Sequence, residues 1–416
     1  MWLNPTRLIV IFLSAASLLS AGCSGTRELD ETAFVLALGL DAAEGNQLKI
    51  SYQIGTTTSD SADASSGGQQ SSFPATVISI TAPSLSEGRN LLGSIVAPAP
   101  NLSHMKLLVV SEELARKGLK DTLATFMRFR EVRGSVYIVI VGGTARDFLV
   151  NNNPLFSITP AKYYELMMKT AAETSYYPRT QIHDFYQQLK NHSAQPYAAY
   201  AALNPKTGEG TPGVKLPGEK MAEHKAGDIP RQGGNALEFA GAAVFRGDKM
   251  VGVLTDHEAR ALAILVNKYP RGFVTVSDPL EPEAIVNLIV GIAQKPEITA
   301  EMKAGRPVFR ISIKLEGEIV AIASGINYEH GEYRRLLEQQ ISKVYREEIE
   351  KYFQVTQALN SDAAGLGYRL RSFFVTKPEF TDFNWNEKYR EADIHVDVKT
   401  ELRRSGLMQR TSPVVN

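Results

Sequence analysis

The feature that most constrains this chain is its single cysteine, Cys23, near the start of 416 residues. One cysteine forms no disulfide within the chain, so stability must come from apolar cores alone. Roughly 390 residues follow Cys23, which is enough for two or three such cores. Lys and Arg together number 45, as do Asp and Glu. That neutral balance argues against a nucleic-acid partner and against a polybasic contact with lipid headgroups.

The residues before Cys23 have the layout of an export signal. An apolar run from Leu8 to Leu19 follows a basic residue, and Ser20-Ala21-Gly22 lead into the cysteine. The run is too short for a lasting membrane span, which needs about 20 apolar residues. A cysteine directly after such a signal is typical of bacterial lipoproteins. We therefore predict a signal peptide over residues 1–22 and lipidation of Cys23 by a diacylglyceryl group, with a secreted chain carrying a free thiol as the alternative.

Composition divides the mature chain into two parts. Residues 205–235 contain 11 Gly or Pro among 31 residues, and few large apolar side chains interrupt them. This predicts a linker between an N-terminal α+β region over 23–204, which could form two subdomains, and a C-terminal α+β domain over 236–406. A Ser-rich stretch over 56–72 has no large apolar residue, so we predict a surface loop there.

Alternating apolar residues predict strands in both parts, and capping residues predict helices between them. In the first part, Ala33–Asp41 and Leu48–Gly55 form a predicted hairpin, and Val136–Val141 a buried strand. The predicted helix starts are Ser84, Ser111, Thr144 and Asp256. The other predicted strands are Ala236–Phe245 paired with Met250–Leu254, Val308–Ala323, Tyr368–Val375 and Ala392–Leu402. The prediction is a multi-domain α+β fold, with mixed and largely antiparallel sheets packed with helices.

The longest predicted helix runs from Glu332 to about Leu359. Its apolar residues recur at three- and four-residue steps: Leu337, Ile341, Tyr345, Ile349 and Tyr352 or Phe353. That stripe predicts burial of one face against the C-terminal sheet. The opposite face mixes charges (Arg334, Arg335, Lys343, Arg346, Glu347, Glu350, Lys351), which is typical of a solvated surface and leaves a partner-binding role open.

The sequence gives little support to catalytic or metal chemistry. The seven histidines are scattered and form no metal-ligating pair, so we predict neither a metal nor a cofactor. Asp256-His257-Glu258 could place a general base beside a carboxylate, but a helix start explains those residues better. Gly142-Gly143-Thr144, between a strand and a helix, could hold an anion on its amides or simply turn the chain. We predict that the chain is not an enzyme and that its ligand-binding residues are unknown.

Several blocks of sequence together resemble a known family. The first block after Cys23 is Arg27-Glu28-Leu29-Asp30-Glu31 with a strand ending Gly39-Leu40-Asp41. The later blocks are His104 to Gly118 (HMKLLVVSEELARKG), Phe129 to Arg133 (FREVR), Gly241 to Gly252 (GAAVFRGDKMVG) and Asp362 to Tyr368 (DAAGLGY). In this order the blocks resemble the Ger(x)C family, the lipoprotein C subunits of spore germinant receptors, from Gly22 to about Gly406.

The resemblance implies a function and partners. A receptor of this kind consists of two integral membrane subunits, A and B, and a lipid-anchored C subunit with no known catalytic activity. It lies in the inner membrane of the spore and responds to small nutrients. The alternatives are a solute-binding lipoprotein of a transport system, against which the antiparallel hairpins argue, and a lipid-anchored cell-wall enzyme.

Overall fold

The computed structural model describes Thr6 and residues 31–55, 75–154, 158–204, 223–329 and 331–404. The signal peptide, Cys23, the Ser-rich stretch over 56–72 and most of the predicted linker lie outside the described residues. The strands are β1 (Thr32–Ala42), β2 (Leu48–Gly55), β3 (Ala75–Ala82), β4 (Ala99–Asn101), β5 (Leu107–Ser111), β6 (Tyr137–Gly142), β7 (Tyr197–Leu203), β8 (Leu237–Arg246), β9 (Lys249–Leu254), β10 (Gly272–Ser277), β11 (Ile285–Lys303), β12 (Arg306–Ile322) and β13 (Asp393–Arg404).

Helices connect these strands and cover their faces. They are α1 (Leu85–Gly93), α2 (Glu112–Lys117), α3 (Lys120–Phe126), α4 (Ala145–Val150), α5 (Pro160–Thr174), α6 (Ile182–Leu189), α7 (Asp256–Leu265), α8 (Gly331–Ala358), α9 (Gly367–Leu370), α10 (Lys377–Phe383) and α11 (Trp385–Lys388). Helix–strand alternation is strongest between β3 and β7, where each crossover connects strands of one sheet.

The first sheet is mixed and has nine strands in the order β3-β2-β1-β5-β6-β7-β8-β9, with β4 beside β1. Its centre, β1-β5-β6-β7, is parallel, and antiparallel hairpins flank it on both sides. Central parallel strands are covered on both faces, which explains the unbroken apolar runs in β5 and β6. One face packs on α1, α2, α3 and α6, and the other on α4 and α5.

The second sheet has the order β10-β11-β12-β13, antiparallel except for the last pair. Helix α8 lies on it, and the predicted stripe of Leu337, Ile341, Tyr345, Ile349 and Tyr352 is fully buried. The periodicity of the sequence therefore located both the helix and its buried face. The α+β class with mixed sheets is confirmed.

The two sheets are closely joined. Strand β8 pairs with β7, so the first sheet takes strands from both sides of residues 205–235. Along β8, Ala243 and Phe245 contact the core of the first sheet, whereas Ala242 and Val244 contact the core under the second. The division of the chain at 205–235 stays a prediction about sequence units, because this strand belongs to both cores.

Local signals were misread in two places. Tyr368–Val375, predicted as a strand, forms α9 and a 3₁₀ turn, because the Asp362 carboxylate accepts the amides of residues 365–367 and starts a helix there. The predicted cap Asp256 is instead the first helical residue of α7. Thr255 is the cap, in a reciprocal capping box with Glu258.

Candidate functional site at the junction of the sheets

The predicted lipidation site, Cys23, lies outside the described residues. The chain is described from Glu31, one residue before β1 begins. Among the described helices, none is long and apolar enough to cross a membrane. The described residues also contain no group of three His, Cys, Asp or Glu side chains that could hold a metal ion.

A buried ion pair joins α7 to α8 between the two sheets. The side chain of Arg260 is only 2% exposed, and its Nε donates to Glu348 Oε2 at 3.2 Å while Nη2 donates to Oε1. The guanidinium lies 5.5 Å from the ring centre of Tyr345. Burial alone would lower the pKa of Arg260, but the charge of Glu348 outweighs it and the pKa is raised. Arg260 is therefore a permanent buried cation with one carboxylate partner.

His257 lies beside this pair. Its Nδ1 is 3.5 Å from Glu348 Oε1. Burial, together with the neighbouring Arg260 charge, lowers the pKa of His257, so its neutral form predominates at neutral pH. Its sequence neighbours are engaged elsewhere: Asp256 Oδ1 accepts the backbone N–H groups of His257 and of His224. Asp256, His257 and Glu258 thus lie close together. The two carboxylates accept backbone N–H groups at the start of α7, and His257 lies beside Glu348.

A second cluster flanks α7 at its first turn. Lys351 on α8 pairs with Glu223, and its Nζ lies 3.7 Å from Glu258 Oε1. Glu223 also accepts a bond from the Thr255 hydroxyl at 3.1 Å. Lys351 was assigned to the solvated face of the long helix. In the structure its side chain is 45% exposed and also connects α8 to the start of α7.

Asp362 fixes the loop that connects α8 to α9. Its carboxylate accepts the N–H groups of Gly365, Leu366 and Gly367 at 2.8 to 3.0 Å, and the indole N–H of Trp385 at 2.8 Å. Burial raises the pKa of Asp362, and these donors oppose the rise. The Asp362 carbonyl accepts the N–H of residue 195, just before β7. The last block of the resemblance is therefore a joint between the two halves of the chain.

Asp41 has the same role in the first half. Its carboxylate accepts the N–H groups of Ala145 at 2.6 Å and Arg146 at 3.1 Å, at the start of α4. These are the amides that follow Gly142-Gly143-Thr144, where the sequence left an anion site open. The anion that occupies this helix start is the chain's own Asp41.

A cleft of about 500 Å³ opens next to the ion pair, between the end of α5 and the α7–β10 connection. Its polar lining includes Arg179, Asp184, Lys268 and Lys295, and Tyr269 forms part of its wall. The Tyr269 hydroxyl is 2.9 Å from that of Tyr345, which lies against Arg260. The hydrogen-bonded pair of Tyr269 and Tyr345 therefore connects the wall of the cleft to the buried guanidinium of Arg260.

Sequence reasoning missed Arg260 and Glu348. One signal was available for Glu348, which falls on the apolar stripe of α8, between Tyr345 and Tyr352 at three- and four-residue steps. A charged residue on a buried stripe requires a buried partner. That partner is 88 residues away in the sequence, and no local pattern identifies it.

Comparison with known proteins agrees with this architecture. The family model "Spore germination protein N-terminal domain" matches residues 25–203, and "Spore germination B3/ GerAC like, C-terminal" matches residues 240–406. The chain is 22% identical over 412 residues to spore germination protein KC of Bacillus subtilis (strain 168), covering 98% of this chain and 97% of that protein. It is 21% identical to spore germination protein GerQC of Bacillus cereus, covering 96% and 99%.

The crystal structure of the GerBC protein has a similar fold. The two align with a TM-score of 0.51 and 18% identity, over 91% of this chain and 99% of that chain. The two family models follow one another along the sequence and together cover most of the chain. The chain therefore belongs to the Ger(x)C family of spore germination proteins.

Proposed function

We propose that this chain is the lipid-anchored, non-catalytic C subunit of a nutrient germinant receptor, and that it acts with integral membrane A and B subunits to trigger spore germination. Cys23 carries the lipid, a diacylglyceryl group with added fatty acid such as palmitate. The anchor holds the chain on the outer face of the inner spore membrane. The family assignment supports the role in germination, and the sequence around Cys23 supports the anchor.

The observation that carries the non-catalytic role is the use made of the buried carboxylates. Asp41, Glu238, Asp278 and Asp362 are each less than 6% exposed. Each accepts at least two backbone N–H bonds. Carboxylates engaged in this way position loops and helix starts. A structural use of buried charge suits a subunit that transmits or assembles.

The second candidate is a solute-binding lipoprotein, which the 500 Å³ cleft favours because its volume suits a small nutrient. Calorimetric titration of the unlipidated mature chain with amino acids and sugars separates the two. Tight one-to-one binding without any membrane subunit would favour the solute-binding candidate. No heat of binding, together with recovery of membrane subunits, is the expected result.

The direct test of assembly is affinity purification from spore membranes in mild detergent. A tagged wild-type chain should recover two integral membrane subunits, and Cys23→Ala should be found mainly in the soluble fraction with much less of both. The matched control is Ser24→Ala, which changes the next residue and leaves the thiol in place. Membrane retention of Cys23→Ala equal to that of the control would refute the lipid anchor. Absence of both membrane subunits from the wild-type eluate would refute the receptor assignment.

A further inference from the structure

The start of β1 marks the end of the fold nearest to the anchor. Thr32 is the ninth residue after Cys23, so a lipid on Cys23 lies within about 30 Å of that strand. Strands β1, β5, β6 and β7 are neighbours and parallel, so all four run in the same direction and begin at the same end of the sheet. Ala37, five residues after Thr32, pairs with Leu107 at the start of β5, so β5, β6 and β7 begin about 16 Å further along the sheet than β1. With about 4.8 Å per strand, the start of β7 is therefore about 22 Å from that of β1.

Contacts connect several of the segments that lie at this end of the sheet. Thr32 pairs with Ala99 in β4, and Leu102 N donates to the carboxylate of Glu131, in the loop before β6. The residues before β7 contact the segment around α9, where Asn191 Nδ2 donates to the Tyr368 hydroxyl at 2.5 Å. Two pairs of segments in contact therefore lie before β5, β6 and β7, and we name them together the basic end: residues 102–106, 127–136, 190–193 and 368–377.

The basic end concentrates positive charge on a neutral chain. Its four segments contain eight Lys or Arg residues and a single carboxylate, Glu131. The cations are Lys106, Arg128, Arg130, Arg133, Lys190, Arg369, Arg371 and Lys377, and all are exposed. Glu131 is engaged by Arg89 at 2.8 Å. None of the eight cations forms an ion pair with another described side chain.

A groove within the basic end has the chemistry of a phosphate site. It has a volume of about 230 Å³, and its lining includes Lys190, His192, Arg371 and Lys377 but no carboxylate. The rest of the lining is Gln187, Asn191, Ser193, Phe380 and Thr381. Arginine and lysine side chains around one groove suit a phosphate group, which accepts several N–H bonds at once.

Apolar side chains project next to this groove. Val375 is 94% exposed and Phe373 is 47% exposed, both in the turn between α9 and α10. Large apolar side chains with this exposure are costly in water when they lie together. Aromatic and aliphatic residues flanked by Lys and Arg are typical of segments that lie in the headgroup region of a membrane.

We propose that the basic end lies on the bilayer surface, where the groove binds the phosphate of an anionic phospholipid headgroup and Phe373 and Val375 enter the interface. The proposal rests on the lipid-anchored function for the orientation of the chain. It revises the expectation drawn from the neutral total charge, because the charge is unevenly distributed. Such a contact would fix the height and rotation of the fold above the membrane, which a lipid attached at a single residue does not.

The test uses the mature chain, residues 24–416, made without lipid; every strand and helix defined above lies within it. The chain is sedimented with vesicles of phosphatidylcholine alone and with vesicles in which a third of the lipid is phosphatidylglycerol. We expect binding to the anionic vesicles only, weakening as salt rises. One basic side chain near an anionic surface contributes about fivefold in affinity. Arg371→Glu with Lys377→Glu should therefore weaken binding at least about 25-fold.

The matched control is Arg335→Glu with Lys343→Glu on α8, which makes the same change in charge on exposed residues of the other sheet's helix. It should change binding less than twofold. Equal loss in both double variants would overturn the proposal, because only total charge would then matter.

A reporter locates the contact. In Val375→Trp, emission should shift to the blue on addition of anionic vesicles and stay unchanged with inorganic phosphate. Binding of inorganic phosphate in the groove, without any binding to vesicles, would mean that the groove takes a soluble anion and would overturn the membrane proposal. Failure to bind vesicles, with loss of membrane-subunit recovery in Arg371→Glu, would assign the surface to a protein partner instead. No spore and no lipidated cysteine enter the vesicle assay, so its failure leaves the germination role untouched.

Discussion

Removing the carboxylate of Glu348 should destabilise this protein strongly. Arg260 is 2% exposed, and Glu348 is the carboxylate with which it pairs. Replacement by Gln keeps the shape but leaves a buried guanidinium without a counter-charge. Breaking a buried pair on one side costs about 3–5 kcal/mol. A loss of 4 kcal/mol lowers the ratio of folded to unfolded chain about a thousandfold.

The adjacent residue provides the control. Glu347 is 55% exposed and lies 3.9 Å from Lys343 on the surface of α8. Glu347→Gln removes the same charge from the same helix, yet an exposed pair contributes only about 0–1 kcal/mol. The difference in the free energy of unfolding between the two variants therefore measures the effect of burial, because both remove the same charge from the same helix.

Urea unfolding of the mature chain measures both variants. Trp385 is the single tryptophan after residue 23 and is buried against Phe309, in the core that α8 covers. Its fluorescence therefore reports the loss of this core. We expect Arg260→Met alone to destabilise as well, and Arg260→Met with Glu348→Met to lie closer to wild type than either single variant, because the double variant leaves no unpaired charge. Equal free energies of unfolding for Glu348→Gln and Glu347→Gln would refute this reasoning.

Three further predictions concern the joints of the fold. Gly367→Ala would place a Cβ 2.5 Å from Trp385 Nε1 and should cost about 1–3 kcal/mol in urea unfolding, whereas Gly93→Ala, with open space around it, should be neutral or slightly stabilising. Asp41→Asn should cost about 1.5–3 kcal/mol, because an amide cannot accept from both helix-start N–H groups as a carboxylate does; an unchanged unfolding midpoint would contradict this. His257 has a folded pKa below its ordinary value, so the unfolded chain binds a proton first and stability should fall as pH drops below about 6.5; in His257→Gln that fall should shrink, as measured by unfolding at pH values on both sides.

The parts of the fold that depend on near neighbours could be predicted from the sequence. The hairpin of β1 and β2 has a turn between two strands of suitable pattern, and the stripe of α8 repeats over 28 residues. Strand β7 was missed because its sequence, YAAYAAL, is rich in alanine, a good helix former. Its position between β6 and β8 leaves every residue but the last buried, and this tertiary setting overrides the local preference.

The candidate site depended on contacts that a sequence pattern does not contain. Arg260 pairs with Glu348, which is 88 residues away in the sequence. The segment after Asp362 was predicted to be a strand, but the Asp362 carboxylate accepts its backbone N–H groups and a helix begins there. Total charge does not locate charges either, since the balance of 45 against 45 leaves open where the cations lie on the surface. The lipidation of Cys23 stays a prediction, which rests on the pattern of consecutive residues that marks an export signal.

The proposed role as a membrane-tethered receptor subunit can be tested by nutrient-triggered release of dipicolinate from spores. Spores lacking the chain are restored with wild type, with Cys23→Ala or with Ser24→Ala, and exposed to a panel of nutrients. We expect loss of release on deletion, rescue by wild type and Ser24→Ala, and poor rescue by Cys23→Ala. Full release by spores lacking the chain, or full rescue by Cys23→Ala with the protein off the membrane, would contradict it.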